Sequence, residues 1–240
     1  DGASGFAETG DYKLRLLDLS KESEIPHDDE GGPMSNGVNH PGKVNVGDLD
    51  IWNFSSSPGE PVIIRFAETT DGTAWFTPRL VVYAPDQSVV GIHSGSSVAQ
   101  VAFVAEQEGT YQVVVGDGAS GVAETGNYSL RLATSPDDYT IPDDDEGGDM
   151  VFGDDHLGSI KRGDLDIWTL HATTSERVIV RLAENDDATA WFTPFFWLYD
   201  PDGTLVDTAA GSATAGLEFT ATQTGPYRLI VADGASGFAE

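Results

Sequence analysis

Short runs rich in Val, Ile, Leu, Tyr and Phe alternate along the chain with clusters of Gly, Pro, Asp and Ser, and no apolar set keeps a helical period over more than a turn. The pattern predicts an all-β protein. In the first half it places strands at 50–55, 62–67, 78–83, 88–93, 98–105, 110–116 and 127–132. Alternation is plainest in Tyr128-Ser-Leu130-Arg-Leu132, where one face is apolar and the other carries Ser129 and Arg131. Turns at Pro85-Asp86-Gln87 and Pro201-Asp202-Gly203 join neighbouring strands as hairpins.

The pattern repeats. DGASG stands at 1, 117 and 233, GDLDIW at 47 and 163, and AWFTP at 74 and 190, so residues i and i+116 align without a gap and about half are identical. A period of 116 is far above that of solenoid repeats, so each unit is expected to own a core and behave as a bead on a string. The fold class expected is two tandem antiparallel β-sandwich (jelly-roll-like) domains of about 116 residues each. Residues 1–19 read as the C-terminal strand segment of a preceding or partner domain, 20–135 as the first sandwich and 136–240 as the second without its last strand. Residues 20–42 and 135–158 read as linkers, each with an acidic knot, HDDEGG at 27–32 and DDDEGG at 143–148.

Composition sharpens this. Forty acidic against twelve basic residues give a net charge of -28, which disfavours nucleic acid and anionic membranes and favours cations. The absence of cysteine removes disulfides, thiolate nucleophiles and Cys-ligated zinc. No apolar run is long enough for a membrane span and no basic, apolar leader opens the chain, so a mature or excised piece is expected.

The chemically suggestive constellation is the acidic knot with GDLD. Asp48 and Asp50 sit two apart at a strand start and leave the same face, and Asp28, Asp29 and Glu30 can fold back on them; Asp144, Asp145, Glu146, Asp164 and Asp166 repeat the set. Crowded carboxylates repel, and a hard divalent cation relieves them; calcium suits a flexible shell of oxygens better than magnesium. The alternative is solvated surface acid, with Asp48 and Asp164 as turn residues. Glu68 with Asp71 and Glu184 with Asp187 form a second acidic set that either completes the cation site or does nothing. Trp75 and Trp191 are candidates for a sugar-stacking platform, against packing at a strand edge; Trp52 and Trp168 are expected to point inward, alternating with Asp50 and Asp166. His40 and His156 read as structural hydrogen-bonding groups, DGASG as a tight loop and DPDG at 200–203 as a hairpin turn. No G-x-S-x-G and no carboxylate pair in an apolar pocket is present, so no enzyme is expected.

The motifs resemble the bacterial pre-peptidase C-terminal domain family, a β-sandwich module appended to secreted proteases and other exported proteins. The resemblance rests on Gly158-Ser159-Ile160, Gly163 to Trp168, Leu198 to Leu205, Gly225-Pro226-Tyr227 and, in the first unit, Gly126 to Leu132; the first unit departs at Ala84-Pro85-Asp86-Gln87. It implies two tandem accessory modules of an extracellular or cell-surface protein, similar in part to collagen-binding domains that take up calcium between linker and sandwich.

The second unit stops before a counterpart of TGNYSLRL, and residues 9–18, TGDYKLRLLD, are that strand at the other end of the chain. If the strand of one molecule, through Tyr12, Leu14 and Leu16, completes the second domain of the next, the contact is head-to-tail and propagates; the alternatives are a stretch of a longer covalent array, equally a fibre or stalk, and closure within the molecule with the two domains folded back on each other. The functional expectation is therefore a non-enzymatic structural repeat of a fibre, stalk or adhesin, associating with other copies of itself over cation-stiffened linkers. The alternative is an accessory module of a secreted hydrolase that binds polysaccharide or protein. High salt tolerance would account for the charge under either reading.

Overall fold

In a computed structural model, residues 11, 14–19, 25, 29–69, 71–72, 75–119, 124–185 and 193–234 are described, and all their regular structure is β. The first sandwich holds β1 (Gly31–Pro33), β2 (Asn39–Val44), β3 (Leu49–Ser56), β4 (Pro61–Glu68), β5 (Pro78–Tyr83), β6 (Val89–Ser94), β7 (Val98–Val104), β8 (Gly109–Asp117) and β9 (Gly126–Thr134). The second holds β10 (Gly147–Asp149), β11 (Asp166–Ala172), β12 (Arg177–Ala183), β13 (Pro194–Tyr199), β14 (Leu205–Ala210), β15 (Thr214–Thr220) and β16 (Gly225–Asp233). Sheet order in the first is β1-β3-β8-β5-β6 over β2-β9-β4-β7. In the second, β10-β11-β16-β13-β14 repeats the five-stranded sheet, but the other sheet is only β12-β15.

β3 to β9 lie where the short apolar runs predict them. β1 and β2 fall inside a stretch that reads as linker, because Gly-Gly-Pro and His-Pro-Gly carry no apolar alternation. Their glycines are needed by close approach: β1 runs parallel to β3, pairing Gly31 with Ile51, and a Cβ on Gly31 would stand 2.3 Å from the Ile51 carbonyl oxygen. Gly42 of β2 likewise faces the Tyr128 ring, which a Cβ would meet at 2.3 Å.

Each sandwich buries its own core. In the first, Trp52, Phe54, Ile64, Phe66, Leu80, Tyr111, Val113, Tyr128 and Leu130 close the space between the sheets. The second is built on Leu170, Val178, Phe196, Leu198, Tyr227 and Leu229, with Trp168, Leu182 and Leu217 only partly buried. Fewer strands are described around it: β9 lies between β2 and β4, and no counterpart of β9 stands in the second sandwich among the described residues. Residues 155–160, which align with β2, form no strand there.

The two units are not beads on a string. A third apolar cluster joins Ile63 and Ala133 on the outer face of the β4–β9 sheet to Leu165, Ile167, Phe195, Trp197, Tyr199 and Ile230 of the second sandwich, with linker Tyr139 packed against it. Arg65 of β4, only 1% exposed, donates to the backbone carbonyls of Asp164 at 3.2 Å and Asp233 at 2.6 Å. Its burial lowers the guanidinium pKa to about 10, which leaves it charged at neutral pH. Arg162 reaches back to Glu68 at 2.7 Å.

The repeat supplies its own control for the junction. Ile63 is 1% exposed and its counterpart Ile179 is 74% exposed. Ile63→Ala should cost about 2–5 kcal/mol and Ile179→Ala less than about 0.5 kcal/mol in denaturant unfolding.

Candidate functional site

GDLD opens a strand in each unit, and what it carries into the fold is decided by the period of two. Asp50 and Trp52 leave the same face, as do Asp166 and Trp168, so the aspartates point inward with the tryptophans and do not alternate with them. Asp50 is 1% exposed and Asp166 3%. Asp48 and Asp164 precede them on tight turns and are also buried. The acidic knot folds back through β1 and β10, so one carboxylate oxygen each of Asp29, Asp48 and Asp50 lies within 4.8 Å of the others, and Asp145, Asp164 and Asp166 repeat this. Glu30 sits beside the first cluster, where burial, ahead of the neighbouring Asp29 and Asp48 charges, raises its pKa. Glu146 adjoins the second and keeps its Oε2 buried without a hydrogen bond. Asp144 is exposed and joins through its backbone carbonyl, which accepts from Lys161 Nζ at 3.2 Å. Asp28 lies outside the described residues.

Into each cluster comes one arginine. Arg131 of β9, in the first sandwich, pairs through Nη1 with Asp145 and through Nη2 with Asp164 Oδ1 at 2.7 Å. Arg15, 116 residues earlier, pairs through Nη2 with Asp29 and through Nη1 with Asp48 Oδ1 at 3.0 Å. Both arginines stand on the polar face of a Tyr-x-Leu-Arg-Leu segment, which alternation alone assigns to solvent. The signal that could have found them is the repeat: of the twelve Lys and Arg residues, only Arg15/Arg131 and Arg65/Arg181 recur at 116. All four belong to the strands that form the junction face or align with them.

The guanidinium leaves charge unanswered. Three carboxylates and one arginine per cluster leave two negative charges in excess when all are ionised. Both oxygens of Asp50 and Oδ1 of Asp166 are buried without a hydrogen bond. Burial first, then the charges of Asp48 and Asp29, push the Asp50 carboxyl up to about 8, the Tyr128 hydroxyl offsetting part of the shift. Burial, then Asp164, Asp145 and Glu146, push Asp166 to about 8 as well, with Arg131 opposing. The donor set suits a hard divalent ion: all its donors are carboxylate oxygens, and once Asp50 or Asp166 is ionised their charge exceeds that of the arginine by two. Asp29, Asp48 and Asp50, and Asp145, Asp164 and Asp166, are the residues that could hold it.

The other sequence candidates have local roles. His40 Nε2 accepts from the Ser35 amide at 3.0 Å and packs edge-on to Trp52; His156 accepts from the Val151 amide at 3.0 Å beside Trp168. Asp117 ties down its loop by accepting from the amides of Thr77 and Ala119, and Asp200 closes its hairpin on the amides of Asp202 and Thr204. Glu68 is taken by Arg162, Asp71 accepts from Asn127 at 2.9 Å, and Asp187 is outside the described residues. Trp75 is 76% exposed at an isolated bridge to Thr125, while Phe76 packs inward on Phe66; Trp191 lies outside the described residues. A cleft of about 420 Å³ between β6 and β7, lined by Val89, Val90, Phe103 and Gln107, contains none of these residues.

No protein-family model matches the chain, and no curated protein matches it. Among solved structures, the pre-peptidase C-terminal domain of a collagenase from Bacillus anthracis is 18% identical, covers 46% of this chain and 99% of its own, and has a TM-score of 0.36. A periplasmic inhibitor of g-type lysozyme from Aeromonas hydrophila is 14% identical over 44% of this chain and 96% of its own, at a TM-score of 0.36. The tandem CBM22 domains of Xyn10C from Paenibacillus barcinonensis are 8% identical over 86% of this chain and 87% of theirs, at 0.24. Each of the first two covers about the length of one sandwich.

Two outcomes test the site. Arg131→Ala leaves buried carboxylates without their counter-charge and should destabilise the protein by about 3–5 kcal/mol in denaturant unfolding. The acids set a pH dependence: from the ordinary value of 3.8 up to about 8, folded Asp50 and Asp166 keep protons that the unfolded chain gives up, so stability falls as pH rises through that window. Thermal melts in chelator from about pH 5 to 8 should show this decline, and Asp50→Asn with Asp166→Asn should flatten it.

Proposed function

We propose that this chain is a non-enzymatic structural repeat of an extracellular or cell-surface protein, running head-to-tail as a fibre, stalk or adhesin, with calcium as the remaining counter-ion at each junction. The carrying observation is that an arginine from a Tyr-x-Leu-Arg-Leu segment bridges the knot and GDLD carboxylates of both sandwiches, once from β9 and once from the segment ahead of the first sandwich. A contact made twice in the same way is a joint that can be made again. The joint is a face of one sandwich against a different face of the next, a heterologous contact that need not close on itself. The two excess charges and the buried, unbonded oxygens of Asp50 and Asp166 support calcium as the ion.

Trp75 favours a second reading, an accessory module of a secreted hydrolase that holds polysaccharide or protein, since a tryptophan exposed to 76% offers an open ring face.

Electron microscopy and sedimentation separate the two. The structural reading expects particles whose length grows with concentration, and a melting temperature that rises with calcium and falls with chelator, most steeply near pH 8 where the carboxylates need a cation most. A particle of fixed size at every concentration would overturn the fibre, and melts indifferent to calcium would overturn the ion. Retention on insoluble polysaccharide that Trp75→Ala abolishes would favour the binding module.

A further inference from the structure

The linker between the sandwiches is held down at one turn. Ser35 to Val38 form it, the Val38 amide donating to the Ser35 carbonyl at 3.2 Å, with Gly37 at φ +80°. From this turn the Asn36 side chain reaches the end of β9 and the start of the linker. Its Nδ2 donates to the backbone carbonyls of Thr134 at 3.1 Å and Asp138 at 3.2 Å, and its Oδ1 accepts from the Thr134 amide at 2.9 Å. The Asn36 carbonyl accepts from the Thr140 amide at 3.0 Å, so both neighbours of Tyr139 are tied to one residue. Tyr139 in turn packs on the junction cluster, shares a 2.8 Å hydrogen bond with Thr169 Oγ1 and carries the Arg228 guanidinium over its ring, 4.9 Å from the centre.

The turn dictates both of its central residues. Position 36 must donate to two carbonyls and accept from an amide, a set that only a carboxamide supplies. Position 37 has a left-handed φ, and a Cβ there would stand 2.4 Å from the Thr140 carbonyl oxygen, so it must be glycine. Asparagine is a heat-labile residue, and it is most so before glycine, where no side chain shields the next amide nitrogen. Of the six asparagines only Asn36 precedes glycine. The same turn closes from Val151 to Asp154 with Gly153 at φ +89°, but Phe152 stands in place of Asn36. The glycine therefore serves the turn, and the asparagine serves the linker.

We infer that Asn36 is a self-modifying latch on the interdomain linker, opened once and for good by reaction with water. The Gly37 amide nitrogen gives its proton to a base and attacks Asn36 Cγ; a C–N bond closes a cyclic imide, and the side-chain nitrogen takes up a proton and leaves as ammonia. Water then opens the ring at either carbonyl, giving Asp or its β-linked isomer, so one water is consumed for each ammonia released. In the closed latch the Gly37 amide donates to the Leu132 carbonyl at 2.9 Å and the carboxamide is held by three hydrogen bonds, so ring closure runs through a local opening. The product cannot close again. A carboxylate has no hydrogen for the Thr134 and Asp138 carbonyls, and it adds charge beside Asp137, whose pKa burial and then the Glu60 charge already raise. The isomer also lengthens the backbone by one carbon inside the turn. Residues 138–140 then come away from the first sandwich, and Tyr139 loses its support at the junction. The latch acts within one chain and is independent of head-to-tail association.

Peptide mapping of the full chain kept at neutral pH tests this. Asn36 should convert before any other asparagine, and about a hundredfold more slowly in the folded protein than in urea, because opening gives up three side-chain hydrogen bonds. Tyr139→Ala, which frees the linker from the junction, should speed conversion in the folded protein by about tenfold. Chymotryptic cutting after Tyr139 should be about tenfold faster in converted wild-type chains and in Asn36→Asp than in fresh protein. Conversion as fast folded as in urea, or another asparagine converting first, would overturn the latch. So would an Asn36 that stays intact for weeks in the folded protein while the unfolded chain converts. Converted chains in which the bond after Tyr139 is cut no faster would show that the linker does not depend on Asn36, and would overturn it as well.

Discussion

A guanidinium enclosed by carboxylates of the neighbouring domain is the contact on which this architecture turns. Arg131 can reach Asp145 and Asp164 only if β9 lies between β2 and β4, if the knot folds back as β10, and if the sandwiches press Ile63 against Ile167 and Trp197. The ion pairs are almost wholly buried, with 6% of the Arg131 side chain and 1% of that of Asp164 exposed. A buried pair adds little net stability compared with an apolar filling, but it punishes mismatch: a carboxylate cluster without its arginine, or an arginine without its cluster, is costly. The contact therefore fixes which face meets which, and the apolar cluster around it supplies the attraction.

Much of the fold was legible because short runs of β-branched and aromatic residues bounded by Gly, Pro, Asp and Ser mark strands, and seven strands of the first unit fall on such runs. β1 and β2 were not, since they are held by backbone pairing and close glycine contact, which leave no hydrophobic signature. The acidic clusters were legible as residues that the repeat brings together, but their surroundings were not. Reading Asp50 as facing away from Trp52 misses that both point inward, and reading the arginine face of Tyr-x-Leu-Arg-Leu as solvated assumes that a polar face meets water. Here it meets another protein surface of opposite charge. A sequence gives the polarity of a face; only the next domain gives its destination.

The net charge of -28 is likewise divided by the structure into two kinds. Among the described residues many acids, such as Asp86, Glu106, Asp154 and Asp202, are exposed, where salt screens them within about 10 Å. The clustered aspartates are screened far less because they are buried. A high-salt setting would thus quiet the repulsion between surfaces while leaving the junction pairs near full strength.

β9 has no free side. Tyr128, Leu130 and Leu132 belong to one body, Arg131 and Ala133 to the next, and its edges are taken by β2 and β4. Loops and edge strands elsewhere can absorb an inserted residue, but one inserted here exchanges the two faces and damages both domains at once. β4, β13 and β16 are enclosed in the same way, so sequence drift in these four strands is tightly limited and a single coding change in one of them is read twice.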